Sequence, residues 1–122
     1  NLKSIIDYSD ELLIDRGDLS RQVPIEKVPF FQRRIISICR LYDKPIYVAT
    51  NLLESMIEFE APNRAEVNDV VSTLLMGADG LVLAAETAIG KNPLESVRVI
   101  KNLCECCKRW TPNTSIDEIL KM

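Results

Sequence analysis

Three short apolar runs set the rhythm of the chain: Leu12-Leu13-Ile14, Pro45-Ile46-Tyr47-Val48-Ala49 and Gly80-Leu81-Val82-Leu83-Ala84. Each is too short for a helix and none alternates with polar residues, so each predicts a strand buried on both faces. Helical periodicity fills the gaps. From Val28 to about Tyr42 it places Phe31, Ile35, Ile38 and Cys39 on one stripe. A second helix opens at Asn63-Arg64-Ala65-Glu66, a capping-box arrangement, carries Val67, Val70, Val71, Leu74 and Leu75, and stops at Gly77. A third opens at Asn92-Pro93-Leu94-Glu95, the same box with proline at the first helical position. It carries Leu94, Val97, Ile100, Leu103 and Cys104 and runs to about Arg109. A weaker helix, Leu2 to Tyr8, precedes the first strand.

Helices and strands therefore alternate, which predicts right-handed βαβ units and a parallel sheet. Three strands alone leave both edges open, so this segment in isolation is expected to be unstable or to self-associate. The pattern fits a piece of a larger doubly wound sheet or of a (β/α)₈ barrel, whose eight units take about 250 residues. After Trp110, which is expected to pack on a neighbouring domain, Thr111-Pro112-Asn113-Thr114 reads as a linker. Ser115-Ile116-Asp117-Glu118 is a fresh capping box. Residues 1–110 and 111–122 are thus expected to divide into one domain and the link to the next.

Composition narrows the chemistry. At 122 residues, 47% apolar and 27% charged, the chain has the profile of a globular domain. Fifteen Lys and Arg against eighteen Asp and Glu give a net charge of −3, which argues against binding nucleic acid by bulk charge. Histidine is absent, which removes Ser-His and Cys-His catalysis and most zinc sites from what this chain does alone. No stretch reads as a signal peptide or a membrane span. Cys104 and Cys107 share a helix face, with Cys106 pointing elsewhere and Cys39 remote in sequence. A metal site would call for a second cluster, so these read as reduced thiols in a cytoplasmic setting.

In parallel α/β folds the working residues lie just past the C-terminal ends of the strands. Those positions hold Asp15-Arg16-Gly17-Asp18, then Thr50-Asn51, then Glu86-Thr87. Carboxylates and hydroxyls without histidine suit a hard cation such as Mg²⁺. Gly17 lets backbone amides approach an anion closely. The pattern points to a Mg²⁺-assisted site for a carboxylate or phosphate. Plainer roles stand beside it: Asp18 as a helix cap, Thr50 satisfying strand-end backbone, and Glu86 paired with a Lys or Arg. Likewise Arg16 would tie down loops, Asp15 would be a solvated turn residue, and Glu54-Ser55-Met56 would serve packing and capping.

Four strings resemble motifs of the pyruvate kinase family. Ile14-Asp15-Arg16-Gly17-Asp18-Leu19 is similar to Ala-Arg-Gly-Asp-Leu-Gly. Ala49-Thr50-Asn51-Leu52-Leu53-Glu54-Ser55-Met56 is similar to Ala-Thr-Gln-Met-Leu-Glu-Ser-Met. Pro62-Asn63-Arg64-Ala65-Glu66-Val67-Asn68-Asp69-Val70 resembles Pro-Thr-Arg-Ala-Glu-Val-Ser-Asp-Val, and Leu83-Ala84-Ala85-Glu86-Thr87-Ala88-Ile89-Gly90 resembles Leu-Ser-Gly-Glu-Thr-Ala-Lys-Gly. All four keep the family's order and spacing across about residues 1–109.

The resemblance implies an α/β fold in which these units are the last three strands of a (β/α)₈ barrel, followed by the link to a regulatory domain. It implies phosphoryl transfer from phosphoenolpyruvate to ADP, giving pyruvate and ATP, with Mg²⁺ or Mn²⁺ and K⁺. It implies that Asp18 is a metal ligand and that amides around Arg16, Gly17 and Asp18 cradle the substrate carboxylate. Thr50 would contact substrate near the carbon that gains a proton, Glu86 would lie near that proton's route, and Arg64 would sit at a homo-oligomer contact. The family's Lys-x-Glu pair and early strands are outside this chain, which is expected to be inactive alone. Departures also stand out: Ala84 for Ser, Ala85 for Gly, Ile89 for Lys, Asp15 for Ala, Asn51 for Gln and Ser20 for Gly. Of these, Ala84, Ile89 and Asp15 support a second reading, a diverged non-catalytic relative with a metabolite-binding, regulatory or assembly role.

Overall fold

The computed structural model describes residues 1–122. Helix α1 (Leu2–Tyr8) leads into β1 (Leu12–Asp15), α2 (Arg16–Gln22), a 3-10 turn at Ile25–Lys27 and α3 (Val28–Leu41). Then come β2 (Ile46–Ala49), a second 3-10 turn at Glu54–Ile57, α4 (Arg64–Met76) and β3 (Gly80–Val82). Helices α5 (Ala85–Ala88), α6 (Pro93–Arg109) and α7 (Ile116–Leu120) close the chain. No helix is long and apolar enough to cross a membrane.

The strands form one parallel sheet in the order β1-β2-β3, with Ile14 beside Val48 and Val48 beside Leu81. Side chains alternate between faces along a strand. Ile14, Ile46 and Val48 therefore share a face, and they pack with Ile6, Ile36, Cys39 and Ala78 in the first core cluster. The opposite face is open at the edge strands, where Leu13 is 55% and Val82 42% exposed. Only β2, the central strand, is buried as the apolar runs predicted; β1 and β3 each have a strand on one side only. A parallel sheet clothed by helices on one side fits the wall of the barrel that the resemblance implies. Gly80 has a packing role there. A Cβ at that position would stand 2.8 Å from the Tyr47 ring, which lies across the β3 backbone.

A second cluster joins Leu52, Leu53, Met56 and Val70 to Leu74, Val99, Ile100 and Leu103. It fixes α4 and α6 against the segment that follows β2. That segment is stitched from several sides. Lys91 N–H donates to the Ile57 carbonyl at 2.9 Å, and the Asn92 side-chain amide to the Phe59 carbonyl at 2.9 Å. Ser55 N–H donates to Glu66 at 2.7 Å, and the Ser55 hydroxyl bonds the same carboxylate. Lys91 also pairs with Glu58 at 2.9 Å.

Local signals hold where their partners are local. The Asn63–Glu66 capping box forms in both directions, at 2.8 and 3.0 Å, and Gly77 ends α4 in the left-handed region at φ +111°. Ser115 caps α7 through Glu118 N–H. Other expectations are corrected by distant contacts. The box at Asn92 does not form, because the Asn92 amide is turned to Phe59. Helix α3 buries Gln32, Ile36 and Cys39 and leaves Phe31 44% exposed. The cause is a buried polar pair, Gln32 Nε2 to Thr73 Oγ1 at 3.2 Å, that seats α3 on α4. Helix α6 turns Ser96 inward and exposes Leu94 and Val97, since Ser96 folds its hydroxyl onto the Asn92 carbonyl. Strand β3 stops at Val82, short of Ala84, whose N–H is taken by the Glu86 carboxylate.

Candidate active site

The C-terminal ends of all three strands open on one side, and the polar residues gather there. At the end of β1 the chain turns directly into α2. Asp15 caps that helix, its Oδ1 accepting from Asp18 N–H at 3.2 Å. The cap is therefore Asp15 and not Asp18, and Asp15 is a half-buried structural acceptor, not a solvated turn residue. Its backbone acceptor role is what an N-cap carboxylate does for otherwise unpaired amides.

Thr50, at the end of β2, is gripped by this turn. Gly17 N–H donates to Thr50 Oγ1 at 2.8 Å, and that hydroxyl donates to Asp15 Oδ1 at 3.3 Å. Arg16 holds the Thr50 carbonyl through Nε at 3.2 Å and Nη2 at 2.8 Å. Thr50 and Asn51 both adopt positive φ, +75° and +57°. For a β-branched residue this conformation is strained and persists only where neighbours over-determine it. The four hydrogen bonds from residues 15–17 do so. Gly17 completes the fit, because a Cβ there would lie 3.3 Å from Asp15 Oδ1 and 3.5 Å from Thr50 Oγ1.

Arg16 reaches one step further, its Nη1 donating to Asp69 Oδ1 on α4 at 2.7 Å. Its side chain is 12% exposed, so its charge is turned into the wall and away from the mouth. Asp69 was not singled out in the sequence, although it lies inside the third motif string. The signal was a carboxylate beside Val70 on the half-buried side of α4.

Glu86, on α5, is 2% exposed. Its Oε2 accepts from Leu53 N–H at 3.0 Å and its Oε1 from Ala84 N–H at 3.1 Å. Its partners are backbone amides, not the Lys or Arg weighed from the sequence. Glu86 thus ties the end of β3 to the segment after β2. Ala84 and Ile89 are both exposed beside it, and neither brings a hydroxyl or a charge.

Asp18 is exposed and pairs only with Arg21, at 3.2 Å. No group of three or more carboxylates, thiols or imidazoles in this chain could enclose a metal ion. Asp15 already uses Oδ1 on two donors. Asp18 offers one carboxylate, already paired with Arg21, and Mg²⁺ takes six oxygen donors. The donor set in residues 1–122 thus does not make a metal site alone. A groove along β1, lined by Leu2, Leu12, Leu19 and Ile35 and about 360 Å³ in volume, reaches the mouth at Asp15 and Asp18.

Away from the mouth, burial pulls the Glu66 carboxyl upward in pKa, but its bonds from Ser55 and Asn63 outweigh that and hold it below the usual range. Burial pushes the thiols of Cys39, Cys104 and Cys107 up. All four cysteines are free. Arg64 stands at the exposed start of α4, and Trp110 lines an apolar groove with Ile119 and Met122 of the C-terminal segment.

The family described as "Pyruvate kinase, barrel domain" matches residues 1–97. Pyruvate kinase of Thermotoga maritima is 48% identical over 104 residues, 85% of this chain and 22% of that protein. Pyruvate kinase isozyme G, chloroplastic, of Ricinus communis is 51% identical over 100 residues, 82% of this chain and 24% of its own length. The crystal structure of a pyruvate kinase from Cryptosporidium parvum superposes with a TM-score of 0.89 at 38% identity, covering 92% of this chain and 23% of that one. The chain thus spans under a quarter of the length of these relatives. With parallel βα units clothed on one side and the four motif strings in place, this chain belongs to the pyruvate kinase family, as part of its barrel domain.

Proposed function

We propose that the protein to which this chain contributes transfers the phosphoryl group of phosphoenolpyruvate to ADP. The observation that carries the reading is the Asp15–Asp18 turn gripping Thr50 at the strand ends, in a chain 48% identical to a pyruvate kinase. The bond from the enol oxygen to phosphorus breaks, and one from an ADP phosphate oxygen forms. The enolate left behind takes a proton at its terminal carbon and becomes pyruvate. The amides around Arg16, Gly17 and Asp18 would orient the substrate carboxylate. Thr50 would contact the substrate near the carbon that is protonated. Glu86 would lie near the proton's route while fixing the β3 end. Asp18 would supply one oxygen to Mg²⁺ or Mn²⁺, the remaining donors coming from the rest of a protein of the relatives' length. The divalent ion would offset phosphoryl charge, and K⁺ would be the monovalent partner.

The same reading carries a homo-oligomer with Arg64 at its contact, residues 111–122 as the link out of the barrel, and a reducing, cytoplasmic setting that suits four free thiols. A second reading, a non-catalytic relative that binds a metabolite or a partner, is favoured by Ala84, Ile89 and Asp15 at the mouth. Pyruvate release by the full-length protein, from phosphoenolpyruvate and ADP with and without Mg²⁺, tests the choice. Mg²⁺-dependent turnover that is lost in Asp18→Ala supports the enzyme. Ligand binding by a folded protein without turnover supports the second reading.

A further inference from the structure

The mouth carries three groups that a substrate carboxylate would need, and all are already engaged. Thr50 Oγ1 has a single proton, and it is directed to Asp15 Oδ1 at 3.3 Å. The same oxygen takes Asp18 N–H at 3.2 Å, while Gly17 N–H is held by the Thr50 hydroxyl at 2.8 Å. Within residues 1–122 the cations beside the mouth are already paired. Arg16 is committed to the Thr50 carbonyl and Asp69, and Arg21 to Asp18. Ile89 is an exposed apolar side chain where the motif it resembles has a lysine. An incoming carboxylate thus meets a fixed carboxylate that holds the hydroxyl it would use.

We propose that Asp15 is the specificity-determining residue of this mouth: its carboxylate latches the Thr50 hydroxyl and must release it before an anionic substrate can bind. This rests on the reading of the mouth as the substrate site. The latch makes the site weak toward small carboxylates and favours ligands with enough other contacts to displace Asp15. Asp15 acts through Thr50 and does not itself touch the reacting atoms.

Asp15→Asn in the full-length protein separates charge from geometry. The amide oxygen can still cap Asp18 and accept from Thr50, so α2 keeps its start. The negative charge is gone. The KM for phosphoenolpyruvate is expected to fall about tenfold, by more than any change in kcat, as expected when a like charge near the ligand is removed. Calorimetric binding of phosphoenolpyruvate should tighten by the same factor. Asp15→Glu, which keeps the charge on a longer arm, should not reproduce the gain. Tighter binding in Asp15→Asn without turnover in any form would uphold the latch and refute the enzyme. Turnover with unchanged KM and unchanged binding would refute the latch and leave the enzyme standing. No turnover and no binding by folded wild-type and Asp15→Asn protein would refute both.

Discussion

Replacing Arg16 with methionine keeps the aliphatic stem and removes the guanidinium. Three hydrogen bonds go with it: two to the Thr50 carbonyl, at 3.2 and 2.8 Å, and one to Asp69 at 2.7 Å. A hydrogen bond to a charged group contributes ~1.5–3 kcal/mol when shielded. Asp69 is 36% exposed, so its limb is discounted to ~1 kcal/mol for solvent screening. The Thr50 limb is better shielded and contributes ~2 kcal/mol. Strain of ~1 kcal/mol is relieved when Thr50 leaves its positive φ, and offsets part of that loss. The expected net destabilisation is about 2 kcal/mol. Asp69→Ala alone leaves Arg16 its Thr50 bonds and costs about 1 kcal/mol. The double mutant Arg16→Met/Asp69→Ala should show a coupling near 1 kcal/mol, because the two changes remove one shared contact. Urea denaturation of wild type, both singles and the double, followed by far-UV circular dichroism, measures it. The proposed phosphoryl transfer, assayed in the full-length protein, supplies the second readout. A Thr50 displaced by about 1 Å lowers kcat/KM by roughly a hundredfold. A coupling within about 0.3 kcal/mol of zero, together with unchanged kcat/KM in Arg16→Met, would show that the outer helix does not hold Thr50.

Two further outcomes follow from buried and bonded carboxylates. Glu86→Gln places an amide NH₂ against either Leu53 N–H or Ala84 N–H, leaving one donor unpaired, and should cost about 1–3 kcal/mol in the same denaturation assay. A loss under about 0.5 kcal/mol would mean that the tie between the β3 end and Leu53 is not maintained in solution. Glu66 has its folded pKa depressed by its Ser55 and Asn63 bonds. Its stabilising share is present above the unfolded carboxyl value of about 4.3 and is lost as pH falls through the lower folded value. Melting temperature measured from pH 6 to about 3 should therefore fall less steeply in Glu66→Gln than in wild type, though from a lower start, and parallel curves would contradict the depressed value.

The alternation of helix and strand was legible because it depends on short-range periodicity and on caps whose partners lie three residues away. Asn63–Glu66 and Gly77 are of that kind. What escaped depended on partners far along the chain. Asn92 reads as a cap until the Phe59 carbonyl, thirty-three residues back, takes its amide. Gln32 is absent from the apolar stripe expected for α3, and it is buried because Thr73 meets it between two helices. Helix α5, of four residues, is too short for an apolar stripe to announce it, and α2 is capped three residues before the Asp18 cap expected for it, because Asp15 takes that place. At the mouth, the residues to look at were legible from their place after each strand and from the motif strings. The connections among them were not. A left-handed Thr50 held by the neighbouring turn has no periodic signature, and the work of Asp15 and Asp69 depends on it.

The segment following β2 has a kinetic consequence. Its backbone and side chains are fastened to Glu86, Glu66, Lys91 and Asn92, which lie on or beside three separate elements. Opening it would break several of these bonds together and would uncover Leu52, Leu53 and Met56. Motion of that kind belongs to sub-global unfolding and not to the microsecond gating of a flap. Amide protons of Leu53 and Ser55 should accordingly exchange on the timescale of the core strands, and any closure over a bound ligand must be carried by some other part of the protein.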